Sequence, residues 1–553
     1  MKFRTTILLI IFSFTLLLLW DEWISFNTKP LVLSESSTTN PNQTDSPSLK
    51  ENDYSSDLPS VNKLEAKKIA PFEKDEGEEK GKETTEILVL ENSKLKIFLN
   101  TFGGTLEFAE LKDQVSEEYP DGKVILFEKN NRSVYLAESG LISLGSKKEK
   151  FPDHLTTFEI KMKSSDSVSL IANRNGVALT KTFRIIPDSY VIEVTHDLVN
   201  MATEEVKTGL YLQLSRDSEP PLGGSSFYNT YTGPVIYTEN GKFEKVSFSD
   251  IEESKQEHVQ ISDNGWFGII QHYYVGAWLF KNKLEREFYT RKLKNNKYSV
   301  GAIQLSNALQ PGQTQTFSNL LYVGPQYQED LKKLERGLDL VVDYGMLTII
   351  AKPIFWLLDK LHKFVGNWGW AIVSLTIIIK LLFFPLTAAS YKSMAKMKAV
   401  TPKIMKIREQ FKENKMQLNN AMMDLYKKEK INPLGGCLPI LIQIPVFIAL
   451  YWVLLASAEI RNAPWIFWIT DLSKPDPYFI LPIVMAVTMF IQMRLNPAPP
   501  DPLQAKIMMA MPIVFSIFFF FFPSGLVLYW LVNNLVSIAQ QWSIMRKLNV
   551  RAG

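Results

Sequence analysis

The stretch TIIIKLLFFP, residues 376–385, places an ammonium group, Lys380, between Ile377-Ile378-Ile379 and Leu381-Leu382-Phe383-Phe384. A lysine near the centre of an apolar helix costs about 2.5–3.5 kcal/mol even on lenient insertion scales. Snorkelling to an interface is one way to lower that cost. It is weakened here by some fifteen mostly apolar residues before Lys380. The other reading is a cation facing a wet cavity, whose chemistry is attraction of anionic groups rather than bond making.

Polar residues that could share such a cavity recur in the neighbouring apolar runs. Thr376 lies one helical turn before Lys380 on the same face. Gln443 sits midway along a second run, and Tyr529, Trp530, Asn533 and Asn534 lie within the last. An amide facing lipid would leave its donors unsatisfied, so these groups are expected to turn inward. No Asp or Glu stands in the middle of these runs, where a proton-coupled transporter would normally carry one.

Other chemistries find no footing. There is no G-x-x-x-x-G-K-[ST] loop for a nucleotide and no His/Cys cluster with metal spacing. The five histidines, His154, His196, His258, His272 and His362, are scattered. His196 falls on the apolar face of its strand and reads as a core histidine. Neither catalysis nor a cofactor is expected. The single cysteine, Cys437, excludes an intramolecular disulfide and reads as a small buried hydrophobe.

The elements that must position these residues follow from how the 553-residue chain is segregated. ILLIIFSFTLLLLW, after Lys2 and Arg4, runs into Trp20-Asp21-Glu22 without an A-x-A-like cleavage site. It reads as an uncleaved anchor over 1–26. Residues 27–85 are rich in Ser, Thr, Asn, Pro, Glu and Lys and read as a disordered linker. From 86 to 326 the hydrophobic period is two, as in Val177, Leu179, Phe183 and Ile185, and Asn240-Gly241 marks a hairpin. A large β-sandwich is expected there.

The period then becomes helical. Leu331, Leu334, Leu338 and Val341 form one stripe, so 327–363 reads as an amphipathic interfacial region. Five apolar runs follow, at about 365–386, 434–456, 477–493, 507–522 and 525–545. The connector 391–433 carries eleven Lys and Arg against four acids, whereas 457–476 has only Arg461 and Lys474. The positive-inside rule therefore puts 391–433 and both termini in the cytoplasm, and the β-domain, 457–476 and the PSG tip at 523–525 outside. Within 391–433, Met394, Met397, Ile404, Ile407 and Phe411 form one stripe and Leu418, Met422 and Leu425 another. These stripes are most simply the seam of a helical hairpin. Their methionines would also suit a surface that meets varied apolar partners, and the basic outside anionic lipid headgroups or ribosomal RNA.

Three long collinear motifs, FVGNWGWAIVSLTIIIKLLFFPLTAASYKSMAKM, INPLGGCLPILIQIPVFIALYWVL and FPSGLVLYWLVNNL, resemble the bacterial YidC/Oxa/Alb family of membrane-protein insertases, as do NTFGGTLEFAEL and LYVGPQYQ. The resemblance implies a multi-span α-helical membrane protein of six transmembrane helices, with a large periplasmic β-sandwich and a cytoplasmic helical hairpin. The five-helix insertase core would occupy 364–553. It implies an inner-membrane insertase and chaperone rather than an enzyme, with no ATP hydrolysis of its own. Its partners would be nascent membrane proteins, the Sec translocon, membrane lipids and, weakly, the ribosome, because the chain has no long basic tail. The family's groove carries one positive charge, usually Arg, and Lys380 matches it, keeping the charge without the planar fork. Thr376, Gln443, Tyr529, Trp530 and Asn533 would line that groove, and Met397, Phe411 and Met422 would receive nascent chains.

Overall fold

The computed structural model describes residues 58–59, 85–119, 121–130, 133–145, 149–222, 230–411, 414–429, 438–495 and 502–551. The expected anchor, nearly all of the linker and Cys437 lie outside them. The chain divides into two compact units between Val341 and Val342.

The unit that ends at Val341 contains two nine-stranded sheets whose neighbouring strands run antiparallel. The first sheet has Val134–Ser143, Thr208–Asp217 and Lys297–Leu305 side by side at its centre. Tyr274–Phe280, Thr314–Pro325, Val191–Asn200 and Val177–Ile185 lie consecutively in the second. Successive side chains in a strand point to opposite faces. One face of each sheet supplies the core, with Tyr135, Leu141, Leu179, Phe183, Ile192 and Leu321 almost fully buried. The hairpin expected at Asn240-Gly241 is present, with Thr238 opposite Lys242. The left-handed residue is Lys242 rather than Gly241. A Cβ at Gly241 would stand 2.6 Å from Val259 Cγ2, so a larger residue there would push that side chain aside.

Lys181 shares its face with Leu179 and Phe183 and is fully buried. Its ammonium donates to Gly103 O at 2.5 Å and Ser139 O at 2.6 Å, and stands 4.6 Å from the centre of the Phe158 ring. Beside it His196, also fully buried, shares a 2.9 Å hydrogen bond between Nε2 and Ser139 Oγ. The core position expected for His196 is what the structure shows. Desolvation, with Asp153 and Glu138 opposing it, pulls the Lys181 amine down to about 7. Desolvation and the nearby Lys181 hold His196 well below the usual histidine range.

Two short helices belong to this unit, α1 (Phe248–Glu252) and α2 (Gln328–Leu334). The continuous amphipathic helix expected over 330–342 does not form. α2 stops at Leu334, Gly337 takes a φ of +77°, and a 3₁₀ turn follows at Leu338–Val341. Leu331, Leu338 and Val341 are buried, and Trp266 Nε1 donates to Arg336 O at 3.1 Å. That stripe therefore completes the sandwich, whose edge moves from 326 to 341.

The second unit is helical: α3 (Thr348–Val365), α4 (Trp368–Leu382), α5 (Phe384–Gln410), α6 (Lys415–Lys428), α7 (Leu438–Ala456), α8 (Ile480–Leu495), α9 (Pro502–Phe519) and α10 (Ser524–Arg551). On α3, Ile349, Trp356 and Phe364 are exposed. α4 and α5 meet at an angle of 65°. Pro385, in the first turn of α5, supplies the reason, because it lacks an N–H and its ring crowds the carbonyl four residues earlier. Among the described residues no single helix is long and apolar enough to cross a membrane. The bent α4–α5 pair meets that measure together, and Ile442–Ala456, Ile480–Leu495 and Met509–Phe519 are shorter apolar helices.

The depressed Lys181 pKa has a definite sign in stability. Between about 7 and the ordinary lysine value near 10.5 the unfolded chain holds a proton that the native one lacks, so stability rises with pH across that window. Below about 7 both states are protonated and the dependence ends. Lys181→Met should flatten this slope. Amide exchange of the Val177–Ile185 strand in the full chain, corrected for intrinsic rates from pH 7 to 10, measures it, and an unchanged slope would count against the buried amine.

Candidate functional site

Lys380 is in the last turn of α4, not at the middle of a straight span. The helix ends at Phe383, whose N–H closes onto Ile379 O at 3.0 Å. The outward carbonyls of a helix C-terminus favour a cation, so the break beyond Lys380 offsets part of the cost of burying it. The side chain is 8% exposed. Its Nζ donates to Ser537 Oγ at 2.8 Å, and Ser537 Oγ donates to Asn533 O at 2.7 Å. Tyr391 of α5 donates to Ser537 O at 3.3 Å, and Gln540 Nε2 donates to Lys380 O at 3.4 Å. Among the described residues, no ion pair involves Lys380.

α10 carries most of the polar lining. Tyr529, Asn533 and Ser537 recur every four residues and therefore share a face. Tyr529 is fully buried and accepts a hydrogen bond from Gln443 Nε2 of α7. Trp530 packs its ring against Phe447, 4.9 Å away, and Phe519, 5.6 Å away. Thr376 is buried and donates to Ile372 O of its own helix at 2.7 Å, so its hydroxyl proton is already committed. Trp530 Nε1, Asn533 Oδ1 and Gln540 Oε1 are buried and have no hydrogen-bond partner among the described residues. Buried polar atoms without a protein partner are commonly met by ordered water.

The structure thus brings Lys380 and Asn533 together around Ser537, and Gln443, Tyr529 and Trp530 together one to two turns along α10. Ser537, Gln540 and Tyr391 were missed from sequence. The repeat Tyr529–Asn533–Ser537 was a visible signal for the first of them, obscured because serine is unremarkable in a helix.

The hairpin residues fall differently. Val400 and Ile404 are buried, and Met397 and Met422 pack against them with Leu425 and Tyr426. Lys403 and Glu429 join the two helices at 2.6 Å. Met397 and Met422 therefore lie in the seam, and Phe411 is half-buried at the end of α5. The methionines on the outside are Met405, Met416 and Met423.

At the other end of α10 the PSG tip is tied to the connector before α8. Ser524 N donates to Lys474 O at 2.7 Å, Gly525 N to Leu472 O at 3.0 Å, and Ser524 Oγ to Asp471 O at 3.1 Å. Asp476, 1% exposed, accepts from Trp468 Nε1 at 3.0 Å, Tyr478 N at 3.0 Å and Leu481 N at 2.7 Å. Its carboxylate thus satisfies donors at the start of α8.

Polar side chains set inside an apolar helical unit are the pattern of a helical membrane protein, and the antiparallel sandwich is a separate unit of the same chain. A family model described as "YidC periplasmic domain" matches residues 87–357, and one described as "60Kd inner membrane protein" matches 360–551. A membrane protein insertase YidC of Janthinobacterium sp. (strain Marseille) is 45% identical over 582 residues, covering 100% of both chains. That of Cupriavidus taiwanensis is 46% identical over 558 residues, covering 99% of this chain and 98% of its own. A crystal structure of an active YidC insertase covers 82% of this chain and 91% of its own, at 18% identity and a TM-score of 0.39. The chain belongs to the YidC family.

Asp476→Ala should remove three accepted hydrogen bonds and leave buried donors unpaired, a loss of about 2–4 kcal/mol. Thermal unfolding in detergent should show it, together with faster amide exchange at the start of α8. Exchange there at the wild-type rate would mean the carboxylate does not hold this end.

Proposed function

We propose that this chain inserts nascent inner-membrane proteins and helps them fold, alone or with the Sec translocon, through the groove that surrounds Lys380. The observation that supports the reading is a buried ammonium that has, among the described residues, one side-chain partner, the Ser537 hydroxyl, and no ion-paired carboxylate. An ammonium has three N–H donors. Those beyond the one given to Ser537 are available to a guest. Coulomb attraction in a partly dehydrated site exceeds that in bulk water, so the acidic or polar exported tail of a substrate is drawn part-way into the membrane. Gln443, Tyr529, Trp530 and Asn533 supply exchangeable hydrogen bonds along its path. The substrate's own apolar segment then favours lipid and leaves. No step in this sequence draws on ATP.

In this reading the N-terminal anchor, α4, α7, α8, α9 and α10 form six crossings with both termini in the cytoplasm. The short apolar helices shorten the barrier by thinning the bilayer around the groove. The tie between the PSG tip and 471–476 closes the outer end. The hairpin α5–α6 receives the emerging chain, with lipid headgroups and, weakly, the ribosome as further contacts. The sandwich is a docking and folding module rather than a catalyst.

The test is insertion of one substrate series, carrying zero to several acidic tail residues, into ATP-free vesicles holding each variant. Lys380→Arg should retain insertion. Lys380→Ala and Lys380→Glu should lose it progressively as tail charge grows. Equal loss across the series would make Lys380 a structural element of the bundle, and saturable solute flux without insertion would make the protein a transporter. Photocrosslinking during translation locates reception on the hairpin: crosslinks to nascent chain are expected from Met405, Met416 and Met423 and from Phe411. Met397 and Met422, held in the seam, should crosslink chiefly within the hairpin.

A further inference from the structure

Leu58 and Pro59 are seated on the sandwich, far in sequence from its first strand at Ile87. Leu58 packs against a buried cluster of Ile142, Tyr211 and Ile303, with Leu144, Tyr289 and Leu305 around it, and Pro59 is buried. The carbonyl of Leu58 accepts a 2.5 Å hydrogen bond from Arg291 Nη1. Tyr135, Ala137 and Ser139 point toward the second sheet, so the alternating residues Glu138 and Ile142, with Tyr211, Gln213, Tyr289 and Arg291 across the ladder, lie on the outer face of the first.

Arg291 is prepared for this contact. Its Nη2 donates to Gln213 Oε1 at 3.1 Å and its Nε to Ser299 Oγ at 3.3 Å, and the guanidinium stands 5.4 Å from the centre of the Tyr289 ring. Gln213 is held in turn, accepting from Tyr289 Oη at 3.0 Å and donating to Glu138 Oε2 at 2.7 Å. A charged donor fixed on partners that are themselves fixed loses little freedom when it binds. The occupant fits the same logic. Proline holds the residue before it in an extended form. It also brings no N–H that would be buried unpaired. A Leu-Pro pair therefore offers an apolar side chain and a carbonyl in a preset geometry.

We propose that this outer face is a recognition site for an extended Leu-Pro segment, occupied in cis by the chain's own Leu58-Pro59, which latches the linker onto the sandwich. The cis segment competes with any added peptide at an effective concentration on the order of millimolar. In the full chain in detergent, the labelled peptide YSSDLPSVNK, residues 54–63, should bind a Leu58→Asp, Pro59→Gly variant. It should bind the unaltered chain roughly tenfold more weakly or worse. Adding Arg291→Ala to the vacated variant should abolish binding, as should Leu→Asp in the peptide. Amide exchange of Val191–Asn200, in the other sheet, reports that the sandwich remains folded. A second measurement leaves the latch intact: thermolysin cleavage before Val61, two residues beyond the latch, should be at least about tenfold faster in Arg291→Ala than in the unaltered chain. No peptide binding to the folded, vacated variant, binding that ignores Arg291, or cleavage at an unchanged rate would each overturn the proposal.

Discussion

The helical unit holds a positive charge that has been taken out of water and that has no counter-charge among the described residues. Burying a lone ammonium costs several kcal/mol unless something replaces its hydration. A paired carboxylate would remove the difficulty and with it the attraction. The structure uses weaker compensation instead. Lys380 stands in the last turn of α4, at the negative end of the helix dipole, and Ser537 accepts one proton while staying bonded to Asn533. The bend at Phe383–Pro385 is thus tied to the charge, because a straight helix would not end beside Lys380. Orphaned atoms on Trp530, Asn533 and Gln540 extend the same polar neighbourhood.

The sandwich meets a comparable problem with the opposite outcome. Lys181 is as deeply buried as Lys380 but has two carbonyl acceptors and an aromatic face. Desolvation lowers its proton affinity toward neutrality, and its contacts lie within the packed core. One buried lysine is held by two carbonyls and a ring, whereas the other has a single acceptor among the described residues.

Both lysines follow the same alphabet in the sequence, yet only Lys380 was legible there. It interrupts a long apolar run, so its expense is visible without coordinates. Lys181 sits in VALTKTFRI, where alternate polar residues are ordinary, and the face it shares with Leu179 and Phe183 shows only when parity is followed residue by residue. The two sheets were legible from period-two patterning and the hairpin at Asn240-Gly241. The sandwich boundary was not, because the stripe at Leu331, Leu338 and Val341 has the same periodicity whether it meets lipid or protein. Its fate was decided by Gly337 and by Trp266 reaching Arg336. The polar residues of α4, α7 and α10 were visible as intrusions in apolar runs, whereas Ser537 required the partner helix. In the hairpin, spacing identified the seam but could not say that Met405, Met416 and Met423 are the methionines left outside.

The contact between Arg291 and the Leu58 carbonyl changes the length of a leash. Between residue 26 and the strand that begins at Ile87 lie 60 residues, 27 through 86; between residue 26 and Leu58 lie 31, 27 through 57. A chain spans at most roughly 3.3–3.6 Å per residue. Seating Leu58 on the sheet therefore cuts the greatest possible distance between the sandwich and residue 26 from about 200 Å to about 110 Å. Accessible volume falls with the cube of that radius, so residue 26 samples the neighbourhood of the sheet several-fold more densely. A single guanidinium–carbonyl bond thereby sets a search radius.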